Sequence, residues 1–102
     1  MKLYTLVRKD LNPSQQAVQA GHAVAEYLLR GPSTEWDNGT LIYLGVENEF
    51  ELERWKLKLD KKGIEYSEFR EPDIGNQITA ISSVDDGKAF GNLKLLRLGE
   101  CK

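Results

Sequence analysis

Apolar positions in this chain fall into short runs that alternate between two periods. Leu3 to Val7 is a brief apolar run bounded by charge, the signature of a strand buried in a sheet. Asn12 then stands where a helix cap belongs, with Pro13 at the first helical position, where its missing N–H costs nothing. The helix is predicted to run to about Arg30 and to stop at Gly31-Pro32. Ala17, Val18, Gly21, Val24, Ala25 and Leu28 fall at helical spacing and form its expected buried face. Gly21 within that helix costs roughly 1 kcal/mol relative to alanine, so the close approach of another backbone is expected there.

Thr40 to Val46 carries the β-branched and aromatic content of a second strand. Asn48 opens a second helix, with Glu51 three residues on as in a capping box. Acidic Glu49, Glu51 and Glu53 lead to basic Lys56, Lys58, Lys61 and Lys62, an order that follows the helix dipole. These lysines therefore read as a solvated helix face. Leu52, Trp55 and Leu59 form the buried stripe, and Gly63 supplies the C-cap. Ile64 to Phe69 is predicted as a third strand and Gln77 to Val84 as a fourth, joined by the turn-forming run Arg70 to Asn76. A last helix is expected from about Asp85 to Leu96, with a break at Gly91.

The resulting order, β-α-β-α-β-β-α, implies an α/β class. Two right-handed crossovers and one short connection give a single three-layer α/β/α domain with a four-stranded mixed sheet and helices on both faces. Leu3, Leu6, Leu44, Val46, Ile78 and Ile81 are expected in the core. A length of 102 residues suits one domain, because a chain of that size buries only about two-thirds of its unfolded surface.

Composition narrows the partners. A net charge of −2 and a pI near 5.4 argue against coating nucleic acid through bulk charge, which leaves room only for a local basic patch. Cys101 is alone, which excludes a disulfide framework or cysteine zinc site and fits a reducing cytoplasm. The amino-terminal run is broken by Arg8, Lys9 and Asp10, so neither a signal peptide nor a membrane span is expected. Asn38-Gly39-Thr40 matches a glycosylation acceptor but reads as a turn in such a setting.

Chemistry is expected where strands end and helices begin. The first strand ends in Arg8, Lys9 and Asp10. On the helix that follows, Gln15, Gln19, His22 and Glu26 share one stripe. The loop before the fourth strand offers Glu71, Asp73, Asn76 and Gln77. His22 is the only histidine, and an imidazole exchanges protons near neutral pH, so it is the natural acid–base group. The competing reading makes it a hydrogen-bonded residue at a helix–sheet interface. A nearby Asp would hold one tautomer and stabilise the protonated ring.

These residues resemble a family. Val7-Arg8-Lys9-Asp10-Leu11 followed by Gln19-Ala20-Gly21-His22-Ala23 is similar to the amino-terminal half of the type II peptidyl-tRNA hydrolases, where a strand ending in Val-Arg-x-Asp-Leu precedes a helix with Gln-x-x-His-Ala. Asp73-Ile74-Gly75-Asn76-Gln77-Ile78 resembles that family's Asp-x-Gly-x-Thr-Gln-Ile segment, shortened by one residue. Gly91-Asn92-Leu93-Lys94-Leu95 looks like its closing Gly-His-Leu-Lys-Leu. The resemblance spans nearly the whole chain. It implies hydrolysis of the ester joining a peptide to the terminal ribose of tRNA, with no metal or organic cofactor, and it suggests a homodimer.

On that reading His22 takes a proton from water and Asp73 orients the histidine or the water. Gln77 or Asn76 helps hold the carbonyl oxygen, and Arg8 and Lys9 meet tRNA phosphates beside Asp10, Gln15 and Gln19. The chain departs from the pattern at the helix start, where Ser14-Gln15 replaces Gly-Lys, and at Asn92, which replaces the closing His. Losing a preorganised group commonly costs several kcal/mol of transition-state stabilisation. The alternative is therefore a module of the same fold that binds tRNA, a nucleotide or a protein without catalysis.

Overall fold

The computed structural model describes residues 1–31, 36–37 and 39–97. Strand β1 is Lys2–Arg8, helix α1 is Pro13–Arg30, β2 is Leu41–Val46, α2 is Glu49–Lys62, β3 is Ser67–Glu71 and β4 is Gln77–Asp85. Two 3-10 turns, Pro72–Ile74 and Lys88–Phe90, precede and follow β4. The strand order is β2-β1-β4-β3. β1 and β2 are parallel, whereas β4 runs antiparallel to both of its neighbours, so the sheet is mixed.

The chain moves one way across the sheet from β1 to β2 and the other way from β2 to β3. Right-handed crossovers in opposite directions place their helices on opposite faces, which gives three layers. On the α2 side, Tyr4, Leu6, Leu44, Val46, Ile78 and Ile81 meet Leu52, Trp55 and Leu59. On the α1 side the contact is small, with Val7 and Ala80 against Ala20 and Ala23. All six residues expected in the core are buried.

Local signals set the helix boundaries. Asn12 is extended, and its Oδ1 accepts the Gln15 N–H at 2.8 Å. Asn48 repeats the device for Glu51 at 3.0 Å, and α2 ends on Gly63 in the left-handed region at φ 69°. The N–H of Gly31 donates to the Tyr27 carbonyl at 2.8 Å to close α1. Pro32, Asn38 and Cys101 lie outside the described residues.

Three expectations are corrected. The third strand begins at Ser67 rather than Ile64, because the Ile64 N–H is spent on the Leu59 carbonyl at 3.0 Å, completing the cap of α2. The predicted order holds, but its last helical element is the single turn Lys88–Phe90. Beyond it the chain is extended along the outer edge of β2, where the Gly45 N–H donates to the Lys94 carbonyl at 3.1 Å and the Leu96 N–H to that of Tyr43 at 2.9 Å. An open strand edge offers those partners at no cost in new helix nucleation.

The third correction concerns α1. Its inward face is Gln16, Gln19, Ala20, Ala23 and Tyr27, while Ala17, Val18, Gly21, Ala25 and Leu28 are exposed. A Cβ placed on Gly21 would meet nothing within 4 Å. Polar anchors decided the rotation of this helix. Gln16, for example, is buried because its Nε2 donates to the carbonyls of Lys9 at 3.1 Å and Leu11 at 2.6 Å, which would otherwise stand unpaired.

Candidate functional site

The carboxyl ends of β1 and β3, the start of α1 and the start of β4 lie at one end of the sheet, where open α/β folds place their ligands. A β-bulge shapes this end. Phe69 pairs with Ala80 but Arg70 pairs with Ile78, which leaves Thr79 as the extra residue. Thr79 and Ala80 therefore both face α1. Ala80 packs on Ala20 and Ala23, and the Thr79 hydroxyl donates to Gln19 Oε1 at 2.7 Å.

Gln19 is the hub, and it is buried. Its Nε2 donates to Glu71 Oε1 at 2.7 Å and to Gln15 Oε1 at 3.1 Å. The other Glu71 oxygen accepts the Asp73 backbone N–H at 3.3 Å. One turn along the helix from Gln19, the exposed His22 ring stacks on Phe69, with centroids 4.5 Å apart and planes inclined by 15°. The Gln19 amide, then the Asp73 N–H and the positive charge available at His22, hold the Glu71 carboxyl below its ordinary range against a desolvation effect of opposite sign.

The expected site residues divide accordingly. Gln15, Gln19 and His22 share the α1 stripe; Gln19 meets the loop through Glu71 and binds Gln15, whereas His22 meets Phe69 of β3. Asp73 is exposed on the 3-10 turn, and no hydrogen bond joins it to His22 among the described residues. Asn76, at φ 61°, is also exposed, its backbone N–H donating to the Glu71 carbonyl at 3.0 Å.

Arg8 turns inward, contrary to its expected role at phosphates. Its Nη1 donates to Gln77 Oε1 at 2.8 Å and to the Ile78 carbonyl at 3.1 Å, and the rest of the guanidinium binds Asp10. Lys9 is half exposed, with its stem across Gly45 and its Nζ 3.0 Å from Glu47. It borders a separate groove of about 330 Å³ on the α2 side, which Trp55, Asn92 and Lys94 also line.

Sequence reasoning missed Phe69, Thr79 and the part played by Glu71. One signal was present. Ile78 and Ile81 were both expected in the core yet stand three residues apart, and a regular strand would point them to opposite faces. In a sheet covered on both faces that spacing is also met without a bulge, as Leu3 and Leu6 of β1 show, so the signal alone did not fix one. Nothing in the sequence fixes which residue of β3 meets His22.

Among the described residues no group of His, Cys, Asp and Glu side chains converges as metal ligands, and no helix is long and apolar enough to cross a membrane. The fold recurs in a solved structure of a protein of unknown function, Atu0240 from Agrobacterium tumefaciens. The two superpose with a TM-score of 0.66 at 13% identity, over 94% of this chain and 97% of that one. At that identity the likeness is one of fold. No protein-family model and no curated protein matches the sequence.

Proposed function

We propose that the protein hydrolyses the ester of an acylated tRNA, in the manner of the type II peptidyl-tRNA hydrolases. The observation that carries this reading is the 2.7 Å bond from Gln19 to Glu71, which joins the helix stripe bearing His22 to the loop before β4. Water attacks the acyl carbonyl carbon while His22 takes its proton, and the Glu71 carboxylate stabilises the imidazolium that forms. Gln77 keeps its carbonyl on Arg8, so its Nε2 is available as a donor to the oxyanion, with the exposed Asn76 amide beside it. The carbon–oxygen ester bond then breaks, and the proton held on His22 passes to the leaving ribose oxygen. In this reading Asp73, two residues from Glu71 on the same loop, orients the attacking water. Lys9 is the cation for the RNA backbone. Arg8 acts indirectly, by aiming Gln77.

The same reading includes a cytoplasmic protein and a homodimer, the latter supported by the uncharged outer face of α1 formed by Ala17, Val18, Gly21, Ala25 and Leu28. Sedimentation at micromolar concentration tests it, and a monomer throughout would remove the dimer.

A specific observation favours the second reading, a module that binds without hydrolysis. Asp10, Glu47, Glu49, Glu71 and Asp73 crowd this end of the sheet, and Arg8 is committed internally. Such a surface attracts a polyanion weakly. Incubating the purified protein with N-acetylated aminoacyl-tRNA separates the two. Deacylation that is lost in His22→Ala, with the fold intact, supports the hydrolase; binding of the tRNA without deacylation supports the module.

A further inference from the structure

We infer that Thr79 is a positioning residue for this site, anchoring the Gln19 amide so that Gln19 presents the Glu71 carboxylate to His22. This rests on the reading of His22 and Glu71 as the acid–base pair. Thr79 is fully buried and Gln19 is 1% exposed, so neither can replace a lost partner with bulk water. A buried amide oxygen without a donor costs about 1–3 kcal/mol. The Thr79 hydroxyl supplies that donor to Gln19 Oε1 at 2.7 Å, with the Phe69 carbonyl a more distant acceptor at 3.3 Å.

The consequence follows from amide geometry. With Oε1 satisfied, Nε2 is directed at two acceptors, Glu71 Oε1 and Gln15 Oε1. Glu71 receives nothing else from α1 except the field of His22. Among the described residues its remaining partner is the Asp73 N–H on the 3-10 turn, and the residue across from it on β4 is the neutral Gln77. Thus the carboxylate is tied to the helix by a single side chain, and that side chain is tied to the sheet by Thr79. The bulge is what makes this possible. Without the extra residue, Thr79 would alternate away from Ala80 and face α2.

The test is an NMR titration of the Glu71 carboxyl and the His22 ring in the wild type, Thr79→Val and Thr79→Ser. Thr79→Val keeps the shape and removes the donor. The Glu71 midpoint is expected to rise in Thr79→Val and to return to the wild-type value in Thr79→Ser. With acylated tRNA, Thr79→Val is expected to lower kcat about tenfold, the effect of one displaced catalytic contact, with KM unchanged. Thr79→Ala, which also lacks the hydroxyl, provides a second route should Thr79→Val fail to fold: it too should raise the Glu71 midpoint. An unchanged Glu71 midpoint in folded Thr79→Val, or in Thr79→Ala where Thr79→Val does not fold, overturns the inference. A wild type that shows the coupled titration but no deacylation overturns the hydrolase reading alone.

Discussion

Arg8 grips Asp10 with two parallel hydrogen bonds, Nε to Oδ1 at 2.9 Å and Nη2 to Oδ2 at 3.0 Å. The planar fork matches a carboxylate in a way that an ammonium does not. Because Nη1 holds both Gln77 and the Ile78 carbonyl, one buried side chain ties the exit of β1 to the entry of β4. Arg8→Ala is expected to cost about 2 kcal/mol, less than for a fully buried pair because Asp10 retains contact with water. Arg8→Lys should recover less than half of it. Urea unfolding of the three proteins gives the comparison.

Lys9 and Arg8 should separate cleanly in RNA binding. The Lys9 ammonium reaches solvent and among the described residues is shared only with Glu47, so Lys9→Gln should flatten the salt dependence of tRNA affinity by about one phosphate equivalent. Arg8→Gln should leave that slope unchanged, and Glu47→Gln should strengthen binding by freeing the lysine. Fluorescence anisotropy across a salt series reads all three.

Gly21→Ala should stabilise the protein. Among the described residues nothing lies within 4 Å of the added methyl group, and alanine is better than glycine in a helix interior by about 0.8–1 kcal/mol. For a domain of this size that is a rise of about 4–8 °C in Tm. Calorimetry showing no rise, or a fall, would mean that another molecule lies against this position.

Acid should release the bridge between α2 and β3. Burial pushes the Glu68 carboxyl up, but Lys56 Nζ and Arg70 Nε, each at 2.7 Å, outweigh it and hold the group below its ordinary 4.5. A carboxyl depressed in the folded state adds stability that is fully present above the unfolded value and is lost as pH falls through the folded one. Glu68→Gln should therefore be the less stable protein near neutrality. The gap between the two urea midpoints should close as pH falls below 4.5.

The sequence made the strands and helix caps readable because these depend on neighbours in the chain. Asn12, Asn48 and Gly63 act within one turn of where they stand. The rotation of α1 was not readable from hydrophobicity, since Gln16 and Gln19 point inward to satisfy polar groups that come from elsewhere: carbonyls of the β1 exit for one, Glu71 and Thr79 for the other. The same holds for the loop carboxylate that binds α1. Asp73 and Glu71 are two residues apart on one loop, and it is Glu71, the cap of the turn that begins at Pro72, that binds Gln19 of α1.

The placement of β4 between β1 and β3 also dictates when this sheet can form. Thr5 and Ser82 meet across the central pair although 77 residues separate them. On the ribosome, β1 emerges first and can join β2 through α1, but its other edge stays open until β4 has left the tunnel. Until then the nascent chain carries an unpaired strand edge, the situation in which strand addition from a neighbouring chain competes with correct closure. Pairing this distant in sequence is also slow to form, so the late strand, rather than either helix, is expected to set the pace at which the protein reaches its native state.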